Sequence, residues 1–163
     1  MAIRLGTRWV GVAAATQGPN CMQPRITLIT LGVNDLQKAV AFYRDGLGFK
    51  TDGIVGREFE HGAVAFFDLH GGLRLALWPR KSIAHDTGLM LGYQSPTEFT
   101  LGHNVASPGE VDAVMRQAAR AGGVILKPPQ KTFWGGYAGY FQDPEGHVWE
   151  VAWNPQWDVP AQV

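Results

Sequence analysis

The sequence predicts an α+β fold made of two similar modules, each with the order strand, helix and then three strands. Two strand-like segments, RITLITLGV and EFTLGHNV, each precede a helical pattern, and three extended segments follow each helix. Val33 and Val105 hold the same place in the two modules. Because each helix can cover only one face of a sheet, we expect a curved mixed sheet around a concave cavity, with one helix covering each module.

The first module is predicted over residues 25–78. After the strand RITLITLGV, the pair Asn34-Asp35 can cap a helix, and Gly46 can end it. The helix itself is indicated by apolar residues at helical spacing: Leu36, Ala39, Val40 and Tyr43. Three extended segments follow it, namely FKTDGIV, AVAFFDLH and LRLALW.

The second module is predicted over residues 97–155. Ser107, Pro108 and Glu110 form a capping-box pattern at the start of its helix. One apolar face of that helix consists of Val111, Val114, Met115 and Ala118. The closing stretch YFQDPEGHVWEVAWNP contains Asp-Pro-Glu-Gly, which is typical of a tight turn between two strands, with Gly146 supplying a positive φ.

We expect residues 25–155 to form a single domain, in which residues 79–96 link the two modules. Residues 156–163 are a C-terminal tail. Residues 1–24 are expected to be a poorly ordered extension rather than a signal peptide, because their apolar run WVGVAAA is short and no strong cleavage site follows it.

The composition narrows the function classes. The chain has 163 residues, of which 45% are hydrophobic and 17% are charged, as in an ordinary globular domain. Lys plus Arg and Asp plus Glu both number 14, so no basic surface for nucleic acid or anionic membrane is indicated. The one cysteine, Cys21, and the lack of a long apolar run favour a protein of the reducing cytosol.

Three stretches together carry a family resemblance: LGVNDLQKAVAFYRDGLGF, HNVASPGEVDAVMRQAARAGG and YFQDPEGHVWEVAWNP. In this order they resemble the vicinal oxygen chelate superfamily, also called the glyoxalase/bleomycin-resistance/dioxygenase superfamily. The resemblance covers about residues 25–155. It implies the two-module fold, but it does not select a reaction, because the superfamily includes isomerases, dioxygenases, transferases and drug-binding proteins that do not catalyse a reaction.

Metal-dependent members of that superfamily use side chains from four strands, two in each module. The resemblance places Leu28 and Ala76 at the two positions in the first module, where neither side chain can bind a metal. Glu150 occupies the last position. The remaining position falls on Thr100 or, with a gapless alignment, on His103. Strand parity favours Thr100 as the cavity-facing residue and His103 as a packing residue.

Glu150 is therefore a candidate for ligand binding and for catalysis as a proton acceptor. Trp134 and Tyr140 belong to an aromatic cluster in TFWGGYAGYF, just before the hairpin. The resemblance to fosfomycin-modifying members implies that Tyr140, three residues before the Asp-Pro turn, contacts the ligand. Aromatic walls with few polar groups suit a flat or amphipathic small molecule.

The sequence thus predicts a cytosolic protein that binds a small aromatic or amphipathic molecule without a metal cofactor. Two alternatives stay open. One is a lactoylglutathione-lyase-like or dioxygenase-like enzyme with one divalent metal ion, for which Glu150 and His103 are the available ligands. The other is metal-free acid–base catalysis at Glu150. The resemblance also implies a homodimer.

Overall fold

A computed structural model describes residues 25–157. The predicted extension 1–24, with Cys21, and residues 158–163 of the predicted tail lie outside this range. The described residues form eight strands: β1 Leu28–Val33, β2 Ile54–Val55, β3 Val64–Asp68, β4 Arg74–Pro79, β5 Leu101–Asn104, β6 Val124–Lys131, β7 Tyr137–Gln142 and β8 Val148–Trp153. They also form three α-helices: α1 Leu36–Ala41, α2 Arg80–Thr87 and α3 Pro108–Arg120.

The strands form two four-stranded mixed sheets with the same topology. The first sheet has the order β1-β4-β3-β2 and the second has the order β5-β8-β7-β6. In each, the first and last strands of the module pair in parallel, and the other neighbours pair antiparallel. This confirms the predicted α+β fold with a duplicated module, although the two sheets do not close into a barrel.

One face of each sheet packs under α1 or α3, and we call it the helix face; the opposite face is the open face. Helix α2 adjoins the open face of the first sheet at Gly32, where an added Cβ would meet Arg80 and Ile83. In β1 the alternation is clear, because Leu31 and Val33 are buried while Leu28 and Thr30 are exposed. The buried side chains of both modules form one hydrophobic cluster, which includes Phe42, Phe141 and Trp149. The core is therefore shared by the two modules.

Polar contacts also join the modules. The Tyr43 hydroxyl donates to Asp143 Oδ2 at 2.7 Å and accepts from Trp149 Nε1 at 3.1 Å. At the start of α1, the Glu145 carboxylate accepts from the backbone N–H groups of Asn34 at 2.6 Å and Asp35 at 3.2 Å. The hairpin between β7 and β8 thus caps a helix of the other module.

The predicted capping residues act as expected. Asp35 Oδ1 accepts from the Lys38 N–H at 3.0 Å at the start of α1. At the start of α3, Ser107 Oγ accepts from the Glu110 N–H at 3.2 Å, and the Glu110 carboxylate accepts from the Ala106 N–H at 3.2 Å. Helix α1 continues into a π-helical turn, Phe42–Gly46, which ends at the glycine that the sequence indicated.

Two features differ from the sequence-based expectation. The first strand begins at Leu28 rather than at Arg25, and the predicted linker 79–96 contains helix α2. Helix α2 lacks a side-chain cap, and only one of its residues, Ser82, is buried. Its sequence RKSIAHDT has neither an N-capping residue nor an apolar stripe, and only the glycine at its C-terminal end, Gly88, is a usual helix signal. None of the helices in residues 25–157 has the length and apolar character needed to cross a membrane.

Candidate functional site

Tyr140 and Glu150 form a hydrogen-bonded pair on the open face of the second sheet. They are directly opposite each other in the antiparallel pairing of β7 with β8, so their side chains leave the sheet on the same side. The Tyr140 hydroxyl donates to Glu150 Oε1 at 2.5 Å. The hairpin Asp143–Gly146 fixes this register, with Gly146 N–H bonded to the Asp143 carbonyl at 3.0 Å and a positive φ of 89° at Gly146.

The pair has a distinct electrostatic character. The hydrogen bond to Glu150, together with partial burial and the charge of that carboxylate, raises the pKa of Tyr140 from 10.0 to about 12. Tyr140 therefore remains a neutral donor at physiological pH, and it holds Glu150 in one orientation. Lys127, opposite Tyr140 on β6, places its Nζ 5.9 Å from the centre of the tyrosine ring, which allows a cation–π interaction.

Lys127 is a site residue that sequence reasoning missed. Its position depends on irregular pairing in β6, where the register with β7 shifts between Ile125 and Lys127 and again between Lys127 and Gln130. The prolines at 128 and 129 lie within the second shift and indicate a bulge. They do not show which side chain meets Tyr140, because a shift of one residue exchanges the two faces.

Trp134 lies beside the same face. A Cβ atom added at Gly136 would come within 1.7 Å of the Trp134 ring, so the indole occupies the space left by this glycine. Gly136 has the parity of Ala138 and Tyr140, whose side chains lie on the open face. The Trp134 side chain is therefore placed next to that face, with 37% of its surface exposed.

The other two candidates, Thr100 and His103, lie at and next to strand β5. Gly102 pairs with Glu150, and His103 pairs with Val151. Thr100 directly precedes β5, is exposed and shares the parity of Gly102. His103 lies on the helix face, in a cavity of about 140 Å³ together with Val114 of α3. Burial lowers the pKa of His103 below 6.5, although the charge of Glu110 opposes this shift.

The side chains of the open face do not fit a four-ligand metal site. The positions implied for the first module, Leu28 and Ala76, carry no donor atoms, and His103 faces the other side of its sheet. Glu150 is therefore the one strong metal ligand that the resemblance implies for the open face. No group of three or more His, Cys, Asp or Glu side chains in residues 25–157 is arranged to hold a metal ion.

The family model for the glyoxalase/bleomycin resistance protein/dioxygenase superfamily matches residues 25–151. The chain belongs to this superfamily. A glyoxalase-related enzyme from Fulvimarina pelagi is similar to the chain at 33% identity and a TM-score of 0.73, covering 85% of this chain and 94% of that one. The superfamily membership agrees with the duplicated sheet topology described above.

Two other solved structures are similar to the chain. A glyoxalase/bleomycin resistance protein/dioxygenase from Nocardioides is 26% identical, with a TM-score of 0.66 and coverage of 89% of this chain and 93% of that one. A lactoylglutathione lyase from Agrobacterium tumefaciens is 22% identical, with a TM-score of 0.61 and coverage of 85% and 100%, and it supports the fold alone. Comparison with curated proteins gives no match.

Proposed function

We propose that this superfamily member binds a small aromatic or amphipathic molecule on the open face of its second sheet, without a metal ion. The observation that carries the proposal is the Tyr140–Glu150 pair, at 2.5 Å. Tyr140 occupies Oε1 of the carboxylate, and Oε2 has no hydrogen-bond partner among residues 25–157. A half-buried carboxylate held in one orientation with a free oxygen is suited to accept a hydrogen bond from a ligand.

The neighbouring side chains support an aromatic ligand with a hydroxyl or amine group. Trp134 offers a partly exposed indole next to the face, which also carries the buried Ala138 and Ala152, opposite each other. Thr100 lies at the edge of the same face. The ligand's ring would lie on Trp134 while its polar hydrogen bonds to Glu150.

A homodimer is part of the proposal. Apolar side chains remain exposed on the open face of the first sheet: Leu28 by 45%, Val55 by 47% and Phe66 by 37%. Their burial would be favourable, and a second copy that covers this face would also enclose the ligand. Light scattering that gives a monomer mass at micromolar concentration would contradict this part.

The first experiment tests the metal-free state. Protein without an affinity tag is subjected to elemental analysis, and its melting temperature is measured with and without Ni²⁺, Zn²⁺, Mn²⁺ and Fe²⁺. We expect no stoichiometric metal and no large shift, because one carboxylate is too weak a ligand set. Near-stoichiometric metal, or strong stabilisation by one ion, would instead favour the metal-dependent alternative and lead to lyase and dioxygenase assays.

The second experiment tests the ligand and uses a matched pair of probes, 1-naphthol and 1-methoxynaphthalene, in calorimetric titrations. Naphthol donates a hydrogen bond and its methyl ether does not, so we expect naphthol to bind about tenfold more tightly. Glu150→Met should remove this difference, whereas Glu58→Met, which alters an exposed acid, should keep it. Equal binding of the two probes to the unmodified protein would contradict the role of Glu150.

A further inference from the structure

A second cavity, of about 490 Å³, lies at the end of the first sheet where α1 and α2 begin. The loop between β2 and β3 closes one side of it. None of Trp134, Tyr140 and Glu150 lines this cavity, so it is distinct from the site proposed above. Its volume falls in the range that holds small organic ligands, which is roughly 300–1,000 Å³.

Two cations line the cavity without a carboxylate partner. Arg57 and Lys81 form no ion pair with any residue in the range 25–157, whereas Arg44 and Arg74 are each paired with an aspartate at 2.6 and 2.7 Å. When the Gln37 amide oxygen is turned towards Arg57, it accepts from Nη1 at 3.0 Å and from Nη2 at 2.5 Å. A neutral group thus positions the guanidinium, which keeps its full positive charge.

Ser82 adds a buried donor to the same cavity. The residue is 2% exposed and lines the cavity wall. Ser82 stands in the first turn of α2, which starts after Pro79 without a side-chain cap. The first N–H groups of a helix have no acceptor within the helix, and no side chain caps them in α2.

The loop holds His61 in a strained conformation at this cavity. Among the described residues it is the one non-glycine residue with a positive φ, 59°, which costs on the order of 1 kcal/mol. Two contacts fix it: its ring stacks on His85 at 4.2 Å, and its carbonyl accepts from Trp78 Nε1 at 3.0 Å. Glu60 is the single acid in the lining, with a side chain that is 92% exposed and 3.8 Å from His61.

Apart from Asn34, the rest of the lining is apolar. Leu36, Ile54 and Pro79 contribute aliphatic surface beside the cationic groups. A ligand that fits both parts carries a negative charge at one end and hydrocarbon at the other, because the apolar surface gains nothing from an inorganic ion.

We infer that this cavity is a second binding site, for an organic anion that has an acidic head and an apolar body. The acidic head is bound by Arg57, Lys81 and the Ser82 hydroxyl, and the body lies on Leu36, Ile54 and Pro79. Charge-assisted hydrogen bonds to Arg57 and Lys81 provide most of the discrimination between anions and neutral molecules.

The test uses the full chain and three probes: octanoate, 1-octanol and inorganic phosphate. In calorimetric titrations at low salt we expect octanoate to bind at least about tenfold more tightly than octanol, and phosphate to bind weakly. Amide chemical shifts should change for residues 56–63 and 80–82. Equal binding of octanoate and octanol, or changes confined to the face with Tyr140, would overturn the inference.

A matched pair of double variants identifies the cations that bind the anion. Arg57→Gln combined with Lys81→Gln should weaken octanoate binding at least about tenfold. Arg116→Gln combined with Lys131→Gln removes two exposed cations elsewhere and should change the affinity for octanoate by less than about twofold. Circular dichroism checks that both variants fold. If both double variants weaken octanoate binding equally, only the net charge of the protein attracts the anion, and the proposed site is wrong. Because Tyr140→Phe leaves this cavity intact, it should not change octanoate binding. The proposal for this cavity and the proposal for the site at Tyr140 and Glu150 can therefore fail independently.

Discussion

Asp143 is a fully buried carboxylate that bonds to both modules. It accepts from the Tyr43 hydroxyl at 2.7 Å, from His147 Nδ1 at 2.8 Å, and from the backbone N–H groups of Glu145 and His147, both at 2.9 Å. Burial by itself would raise the pKa of Asp143. The hydrogen bonds from His147 and Tyr43 and the charge of protonated His147 outweigh burial, so the pKa lies below 3.8.

Asp143→Asn is expected to lower the free energy of unfolding by about 2–4 kcal/mol, because an amide cannot accept all of these donors. Urea denaturation at neutral pH measures the loss. Asp52→Asn, at an exposed acid, is the control and should change stability by less than about 0.5 kcal/mol. Since the folded pKa of Asp143 is lowered, its stabilisation is present above pH 3.8 and disappears as the pH falls below that value. A variant as stable as the unmodified protein would show that the network contributes nothing.

The raised pKa of Tyr140 predicts how the stability of the protein depends on pH in the alkaline range. Its folded pKa of about 12 lies above the ordinary 10.0, so its contribution to stability is complete below pH 10 and is lost as the pH rises towards 12. Tyr140→Phe should therefore lose less stability than the unmodified protein over this interval. The difference between the two proteins is the relevant measurement, because burial also raises the pKa of Tyr43. Parallel curves from pH 9 to 12 would contradict the hydrogen bond.

At the scale of elements, the start of α3 depends on Ser107. Ser107→Ala removes the acceptor for the Glu110 N–H and should cost about 1 kcal/mol of stability in thermal or urea unfolding. Ser107→Asp keeps an acceptor at the same place and should cost little, so it serves as the control. Equal losses in both variants would mean that the hydroxyl does more than cap the helix.

The elements also show how far the sequence predicts this protein. Periodicity and caps predicted α1 and α3, because those signals are local. Helix α2 has neither an N-capping side chain nor an apolar stripe, and Lys127 depends on two register shifts that only strand pairing can reveal. The opposite placement of His103 and Thr100 follows from strand parity, whereas the hydrogen bond between Tyr140 and Glu150 required the antiparallel register.

At the scale of the whole molecule, Gly46 controls how closely the modules approach. A Cβ atom at Gly46 would lie 2.3 Å from the Cβ of Ala121, at the end of α3 in the other module. Gln117 Nε2 also donates to the Gly46 carbonyl at 3.1 Å. Glycine is thus required here for a close approach between modules.

Gly46→Ala should destabilise the protein by about 1–3 kcal/mol, because the two modules must move apart or strain. Gly109→Ala is the matched control: a Cβ there meets only Ser107 Oγ at 4.0 Å, and alanine favours the helix, so stability should rise by up to about 1 kcal/mol. Thermal unfolding measures both. If Gly46→Ala is neutral, the contact between modules is looser than described.

The shared parallel register has a use in protein design. Leu28 lies two residues before Thr30, the partner of Ala76, and Thr100 lies two residues before Gly102, the partner of Glu150. Leu28→His, Ala76→Glu and Thr100→His together with native Glu150 would transplant a set of two imidazoles and two carboxylates onto the open faces. Ni²⁺ should stabilise this triple variant more than the double variant that lacks Thr100→His, because His103 faces the other side of the sheet and cannot replace the missing ligand. Because the donors come from both modules, the dependence of that stabilisation on protein concentration would tell whether one chain or two assemble the site.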